Sequence, residues 1–237
     1  MYMSHLVLGY PTLQESIATA EQYIAAGYEI LELQIPFSHP TADGPVITQA
    51  CRDAVEKGNI TVEDCLGALA GIREKYPDQE IIVMTYLNRI FAFGLERFCL
   101  EMEALGIQHI IVPDLPVDSP QAHTILAQKV QLVPVLAANV HPERLDKLLG
   151  MGFDFFYLMS DFKITGSTFS LHPRLQEVIE RIKTANPLAR VGIGFGISTA
   201  EQVRLVTTHA DYAIIGSTLI KAKMEGRLTE VMADLAV

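Results

Sequence analysis

The chain has 237 residues, of which 49% are hydrophobic and 19% are charged, so it can bury a large core and is too apolar for a disordered protein. Its formal net charge is −10, from 18 basic and 28 acidic residues. This acidic balance disfavours nucleic acid or an anionic membrane as the main partner, because both select basic surfaces. At first sight it also disfavours an anionic small substrate.

The N-terminal stretch MYMSHLVLGYP has no cationic region and no long apolar run, so we predict neither a signal peptide nor a membrane span. The three cysteines form no CxxC pair, which favours buried thiols over disulfides or a zinc ribbon. We therefore predict a cytoplasmic location. The histidines are scattered, with no HEXXH pattern, and we predict no metal site and no cofactor.

Short apolar runs alternate with amphipathic stretches along the whole chain, which predicts parallel strands joined by right-handed helical crossovers. Eight such repeats predict an α/β fold of the closed (β/α)8 type, a TIM barrel, as a single domain over residues 1–237. A doubly wound open sheet is the structural alternative. The predicted strands, in chain order, are Ser4–Leu8, Tyr28–Ile35, Ile81–Tyr86, His109–Val112, Leu132–Leu136, Phe153–Met159, Arg190–Ile193 and Tyr212–Ile215.

Capping signals mark the starts of several predicted helices. The S/T-x-x-E pattern occurs at Thr12–Glu15 and at Ser198–Glu201, where each side chain can satisfy a free backbone N–H. Ser119–Pro120 and His141–Pro142 place proline where the first helical turn tolerates it.

Two carboxylates near the second predicted strand form a candidate acid–base pair. The strand period of two places Glu32 on one face with Gln34, while the opposite face is aliphatic and is expected to lie under the outer helices. A buried carboxyl favours its protonated form, which suits a general acid. Asp43 follows in a stiff loop, HPTADGP, that can return a second carboxylate to the pocket. A structural ion pair for Glu32 and an Asx turn for Asp43 are the alternatives.

Glycines follow three of the later strands. Gly194 and Gly196 lie in GFGIS, Gly216 and Ser217 lie in GST, and Gly166 follows the sixth strand. Glycine lets backbone N–H groups approach an anion, and barrel enzymes often bind phosphate after strands seven and eight. Simple tight turns are the alternative. A dinucleotide site is excluded, because the third glycine of GxGxxG is missing.

The stretch LELQIPFSHPTADGP, with YLMSDFKITG, GFGIS and IIGST downstream, resembles the tryptophan synthase alpha chain family from Gly9 to about Lys221. The resemblance implies a barrel lyase that cleaves indole-3-glycerol phosphate to indole and glyceraldehyde 3-phosphate without a metal or cofactor. It implies a tryptophan synthase beta chain as partner, in an α2β2 tetramer. Two alternatives stay open: a weak or silent barrel that activates a beta chain, and a standalone lyase that releases indole.

The resemblance also implies roles for individual residues. Glu32 matches the general acid/base that protonates indole C3 and takes the glycerol hydroxyl proton, and Asp43 matches the group that holds the indole N–H. The other matching positions are Tyr157 beside the acid, Thr165 near the aspartate, Tyr86, Ile111, Leu136 and Phe195 along the indole pocket, and Gly166, Gly194, Gly196, Gly216 and Ser217 around the phosphate.

Three residues depart from the family pattern near these sites. Gln34 replaces a glycine on the face of Glu32, where it is expected to crowd or hydrogen-bond the acid. His39 replaces an aspartate that contacts the beta chain, and Lys163 stands at a hinge glycine and is expected to stiffen a lid. The N-terminal segment is also shorter than in the family. We therefore expect a competent lyase with altered partner coupling, with neutral drift as the alternative.

Overall fold

The structure is a computed structural model that describes residues 1–159, 162–165, 168–194 and 196–236. The chain divides into two compact units. The amino-terminal unit comprises Ser4–Leu132, and the carboxy-terminal unit comprises Val133–Val237 together with Met1–Met3. The single-domain organisation stays a prediction.

The amino-terminal unit holds strands in the order β5-β4-β3-β2-β1, and the pairs β2–β3, β3–β4 and β4–β5 are parallel. A strand followed by a helix is the repeating element, as the alternating pattern predicts. The strands are β1 (Tyr2–Val7), β2 (Ile30–Gln34), β3 (Glu80–Met84), β4 (His109–Ile111) and β5 (Gln131–Leu132). The helices are α1 (Leu13–Ala25), α2 (Pro45–Arg52), which continues into a π-helical turn at Asp53–Lys57, α3 (Val62–Lys75), α4 (Leu87–Phe93), α5 (Leu95–Ala104) and α6 (Pro120–Leu126).

Strand β2 lies centrally in this unit, and all five of its residues are buried. Glu32 pairs in register with Ile82 of β3, and Gln34 pairs with Met84. Gln34 follows Glu32 by two residues, so both side chains emerge on the same face of the strand. Central placement in a parallel sheet therefore holds a carboxylate and an amide side by side in a buried environment.

The carboxy-terminal unit has strands in the order β11-β10-β7-β6, with all three adjacent pairs parallel. Its strands are β6 (Val135–Ala137), β7 (Phe155–Met159), β8 (Phe162–Thr165), β9 (Thr168–Leu171), β10 (Arg190–Gly194) and β11 (Tyr212–Ile215). Its helices are α7 (Pro142–Leu149), α8 (Pro173–Ala185), α9 (Ala200–His209), α10 (Ser217–Met224) and α11 (Leu228–Leu235).

Two features differ from the predicted strands. The fifth predicted strand, Leu132–Leu136, is divided into β5 and β6, because Pro134 has no backbone N–H to donate to a strand ladder. The segment after β7, expected to be a loop, contains the antiparallel pair β8–β9, with Phe162 opposite Leu171. Both strands are rich in β-branched and aromatic residues, which favour extended pairing.

Three helix starts match the sequence signals, including that of α7, where Pro142 follows the N-cap His141, and one differs. The Thr12 hydroxyl accepts a hydrogen bond from the Glu15 N–H, and Ser119 caps α6. The expected cap at Ser198 is wrong, because Thr199 is the N-cap of α9. Gln202 completes a capping box there, since its side chain reaches back to the N-cap backbone. In the part of the chain that is described, no helix combines the length and the apolar character of a membrane span.

Candidate active site

A buried histidine lies beside the candidate acid. The Nδ1 atom of His5 on β1 is 3.0 Å from Oε1 of Glu32, and both side chains are almost fully buried. The second carboxylate oxygen, Oε2, is also buried and has no hydrogen-bond partner among the described residues. A buried oxygen without a partner costs free energy, so Glu32 presents an acceptor that a substrate group can satisfy.

Gln34 links this histidine to the second carboxylate. Its Oε1 lies 2.9 Å from Nε2 of His5, and its Nε2 donates to Oδ2 of Asp43 over 2.8 Å. Glu32, His5, Gln34 and Asp43 therefore form one continuous hydrogen-bonded chain. The expectation that Gln34 contacts the acid is corrected in detail, because Gln34 reaches Glu32 through His5.

Tyr86, just after β3, anchors the other side of Asp43. Its hydroxyl donates to Oδ2 of Asp43 at 2.9 Å and accepts the N–H of Ala42 at 3.0 Å. The ring is fully buried and packs against Phe37, with 5.4 Å between ring centroids. Two donors thus converge on one oxygen of Asp43, which fixes its orientation and leaves Oδ1 for another partner.

The protonation of this cluster is set by burial and by neighbouring charge. Burial opposes a charged imidazole at His5, but the Glu32 carboxylate, with a smaller contribution from Asp43, raises the pKa of His5 above its ordinary value. Burial raises the pKa of Asp43, against the effect of His5, Gln34 and Tyr86. Burial and the Asp43 charge also raise the pKa of the Tyr86 hydroxyl, so it remains a donor at neutral pH.

The carboxy-terminal unit contains Tyr157 on β7, opposite Gly192 in the register with β10. A Cβ atom on Gly194 would lie 2.2 Å from the Tyr157 hydroxyl, so glycine at this position lets the phenol lie against the backbone. The sequence motif around Gly194 therefore has a packing role here. The predicted role of Tyr157 beside the acid is not tested by this contact.

The glycine loops expected to bind phosphate are brought together within the same unit. The Thr218 hydroxyl of α10 donates to the carbonyl of Ile197 at 2.6 Å, which joins the loop after β10 to the loop after β11. Gly196 adopts a positive φ of 74°. Gly216 is the N-cap of α10 and supplies no side-chain cap, so the backbone amides at Ser217 and beyond are not covered by a cap side chain.

The remaining predicted residues lie as follows. Ile111 ends β4 and Leu136 lies in β6, and both are buried. Thr165 ends β8. Gly166 and Phe195 lie outside the described residues.

His5 is the participant that the sequence analysis missed. It lies inside the predicted strand Ser4–Leu8, but no role was predicted for it. The available signal was a titratable side chain inside a predicted strand, the same signal that identified Glu32. Among the described residues, no group of three or more His, Cys, Asp or Glu side chains is arranged to hold a metal ion.

Comparison with known proteins gives a consistent result. Residues 1–235 match the family model described as Tryptophan synthase alpha chain. The chain is 34% identical over 237 residues to the tryptophan synthase alpha chain of Syntrophotalea carbinolica, covering 98% of this chain and 92% of the relative. It is 34% identical over 220 residues to the alpha chain of Chloroflexus aggregans, covering 92% and 82% of the two chains.

Solved structures show the same likeness. Tryptophan synthase from M. tuberculosis, in its aminoacrylate-bound form, superposes with a TM-score of 0.84 at 27% identity, covering 99% of this chain and 91% of the other. The alpha subunit from Campylobacter jejuni gives a TM-score of 0.84 at 29% identity, with coverage of 99% and 93%. The predicted fold class, a (β/α)8 TIM barrel, is confirmed by these matches.

Proposed function

This chain belongs to the tryptophan synthase alpha chain family, the lyases that cleave indole-3-glycerol phosphate in tryptophan biosynthesis, and we propose that Glu32 and Asp43 carry out this cleavage here. The observation that carries the assignment is the buried Oε2 atom of Glu32, which has no partner among the described residues while Oε1 is held by His5. A carboxyl group held at one oxygen and open at the other is suited to proton transfer with a substrate.

The reaction requires one proton to reach a carbon and one proton to leave an oxygen. Glu32 protonates C3 of the indole ring, and a carboxylate then takes the proton of the adjacent glycerol hydroxyl. The bond between the ring and the glycerol carbon breaks with its electron pair returning to the ring, and the hydroxyl carbon becomes the aldehyde of glyceraldehyde 3-phosphate. One buried carboxyl can perform both transfers in turn, because protons are conserved overall.

Asp43 is proposed to accept the indole N–H and to stabilise the positive charge that develops on the ring. Support comes from the two donors on Oδ2, Gln34 and Tyr86, which orient the carboxyl group and leave Oδ1 available. On the basis of the family resemblance, the residues proposed to contact the indole ring are Tyr86, Ile111, Leu136, Thr165 and Phe195, and Tyr157 is proposed to support the acid.

The phosphate group is proposed to bind at Gly194, Gly196, Gly216 and Ser217, with Gly166 contributing. The uncapped start of α10 and the hydrogen bond that joins the two glycine loops support this assignment. Backbone amides and a helix N-terminus supply the positive potential, so a net charge of −10 is no obstacle to a single phosphate.

The proposed lyase activity is tested by supplying indole-3-glycerol phosphate to the purified chain, with and without a beta chain, and measuring indole. Glu32→Gln keeps the size of the side chain but removes its acid–base function, and we expect turnover to fall by about 10²- to 10⁴-fold. Glu63→Gln is the matched control, since Glu63 is exposed on α3 and is expected to leave the rate unchanged. Absence of indole from the wild-type chain under both conditions would refute the proposal.

We further propose that a tryptophan synthase beta chain is the partner, on the basis of the family. His39 is expected to alter the coupling, and its Nδ1 atom lies 2.8 Å from the Ser38 hydroxyl in the loop that carries Asp43. Stimulation of indole release by an added beta chain, compared between wild type and His39→Asp, tests this. The proposed cytoplasmic location is supported by three cysteines that are all buried and free.

A further inference from the structure

The feature that goes beyond the family assignment is the buried chain of hydrogen bonds from Glu32 through His5 and Gln34 to Asp43. We propose that His5 is a positioning residue that shares one proton with Glu32, and that Gln34 and Asp43 orient its imidazole for this purpose. This inference rests on the proposed function, because it assigns the source of the proton that Glu32 transfers.

The Asp43 carboxylate sets the direction of each hydrogen bond in this chain. Asp43 in its ionised form only accepts hydrogen bonds, so the nitrogen of Gln34, and not its oxygen, faces Oδ2. The Gln34 oxygen then faces His5, and it accepts a hydrogen bond, so Nε2 of His5 carries a hydrogen. The tautomer is thereby set by the chain, and Nδ1 is left as the nitrogen whose proton can change.

Only two arrangements fit the 3.0 Å contact between Nδ1 of His5 and Oε1 of Glu32. Either a neutral imidazole accepts a hydrogen bond from a protonated Glu32, or an imidazolium donates to the Glu32 carboxylate. Both contain the same single proton, which lies between the two atoms. A neutral Glu32 can act as an acid once its carboxyl group rotates and turns the protonated oxygen toward the substrate, and an ionised Glu32 can act as a base through Oε2.

The Glu32–His5 pair holds the same number of protons before and after the reaction. The pair starts with one proton, and Glu32 delivers it to C3 of the indole ring. After the transfer, the imidazole is neutral and the carboxylate accepts the glycerol hydroxyl proton as the carbon–carbon bond breaks. The pair ends with one proton, so the next cycle begins in the same state and no further proton donor is required.

The electrostatic surroundings support a retained proton. The titratable groups that act on His5 are Glu32 on β2 and Asp43 in the following loop, with the neutral hydroxyl of Tyr86 behind Asp43. Burial works against a charged imidazole, but these two carboxylates outweigh it and raise the pKa of His5. His5 is therefore expected to keep its proton to a higher pH than an ordinary imidazole does.

The first test compares pH profiles of indole release. We expect His5→Gln to reduce kcat by about 10²-fold, the lower end for proton-transfer catalysis, with little change in KM, and to change the alkaline decline that loss of the shared proton is expected to cause in the wild type. Gln34→Leu leaves the Glu32–His5 contact but removes the orienting bond, so it is expected to move that decline to lower pH. His123→Gln, an exposed histidine on α6, is the matched control and is expected to keep the wild-type profile.

The second test does not depend on activity. Nuclear magnetic resonance of the chain labelled with ¹⁵N-histidine follows each imidazole with pH, and His5 is assigned by the signal lost in His5→Gln. We expect the pKa of His5 to lie above the ordinary histidine value of 6.5 in the wild type, and to lie below it in Glu32→Gln, where burial acts without the carboxylate.

The outcomes separate the two proposals. A wild-type chain that makes no indole refutes the proposed function, while the titration still tests the shared proton. An active wild type whose His5→Gln variant keeps its kcat and pH profile overturns the inference and leaves the function intact. Should His5→Gln fail to fold, the pH profile of Gln34→Leu decides, and a profile unchanged from that of the wild type overturns the inference.

Discussion

Replacing Tyr86 by phenylalanine measures how much the hydrogen bond from Tyr86 to Asp43 contributes to stability. The change removes one hydroxyl that donates to Asp43 at 2.9 Å and accepts from Ala42 at 3.0 Å. A hydrogen bond to a charged group contributes about 1.5–3 kcal/mol. Asp43 keeps its bond from Gln34, and Ala42 is exposed and can be hydrated. We therefore expect a value at the lower end of this range, a loss of about 1.5 kcal/mol in the free energy of unfolding.

Tyr23→Phe is the matched control for this measurement. Tyr23 is as fully buried as Tyr86, but its hydroxyl has no hydrogen-bond partner in the part of the chain that is described. Removing a buried hydroxyl without a partner is expected to leave stability unchanged or to raise it by up to about 1 kcal/mol. Urea titration of the three proteins gives both values, and kcat/KM for indole release is expected to fall about tenfold in Tyr86→Phe only. Equal destabilisation by both substitutions would show that the reasoning from Asp43 is wrong.

Two other predictions follow from the same structure. Gly194→Ala places a Cβ atom 2.2 Å from the Tyr157 hydroxyl, so we expect a loss of about 1–3 kcal/mol by urea unfolding, whereas Gly71→Ala, in an α3 position with open space, is expected to gain about 0.5–1 kcal/mol. Because Glu32 raises the pKa of His5 against the effect of burial, the native state holds an extra proton above the ordinary value of 6.5. The free energy of unfolding is therefore expected to fall as pH rises from that value through the native pKa, by up to about 1.4 kcal/mol per pH unit. His5→Gln is expected to flatten this slope, and an unchanged slope would contradict the assignment.

Much of the fold could be predicted because alternating apolar periods report which face of each element is buried. The predicted strand around Glu32 and the caps at Thr12 and Ser119 agree with the structure. The predictions were less accurate where two neighbouring residues could both serve as the helix cap. Thr199, rather than Ser198, caps α9, because Gln202 can reach back and complete the box.

The site was predicted only in part, because some of its residues have a local sequence signal and others do not. A carboxylate inside an apolar strand is conspicuous, so Glu32 was identified from the sequence, whereas no role was predicted for His5 in the first strand. No local pattern connects His5 to Gln34, which lies 29 residues away along the chain. Their contact arises only when the neighbouring strands β1 and β2 place the two side chains within hydrogen-bond distance.

The sequence by itself determined the class of fold, the carboxylate pair and the glycine loops. The fold class follows from the apolar periodicity, and the other two follow from the positions of carboxylates and glycines relative to the predicted strands. Only the tertiary structure decided how the polar groups are paired. Burial makes each unpaired polar atom costly, and in the candidate site one chain of donors and acceptors runs from Asp43 to Glu32. The Oε2 atom of Glu32 has no hydrogen-bond partner among the residues that the structure describes, and it is the atom that contacts the substrate in the proposed reaction.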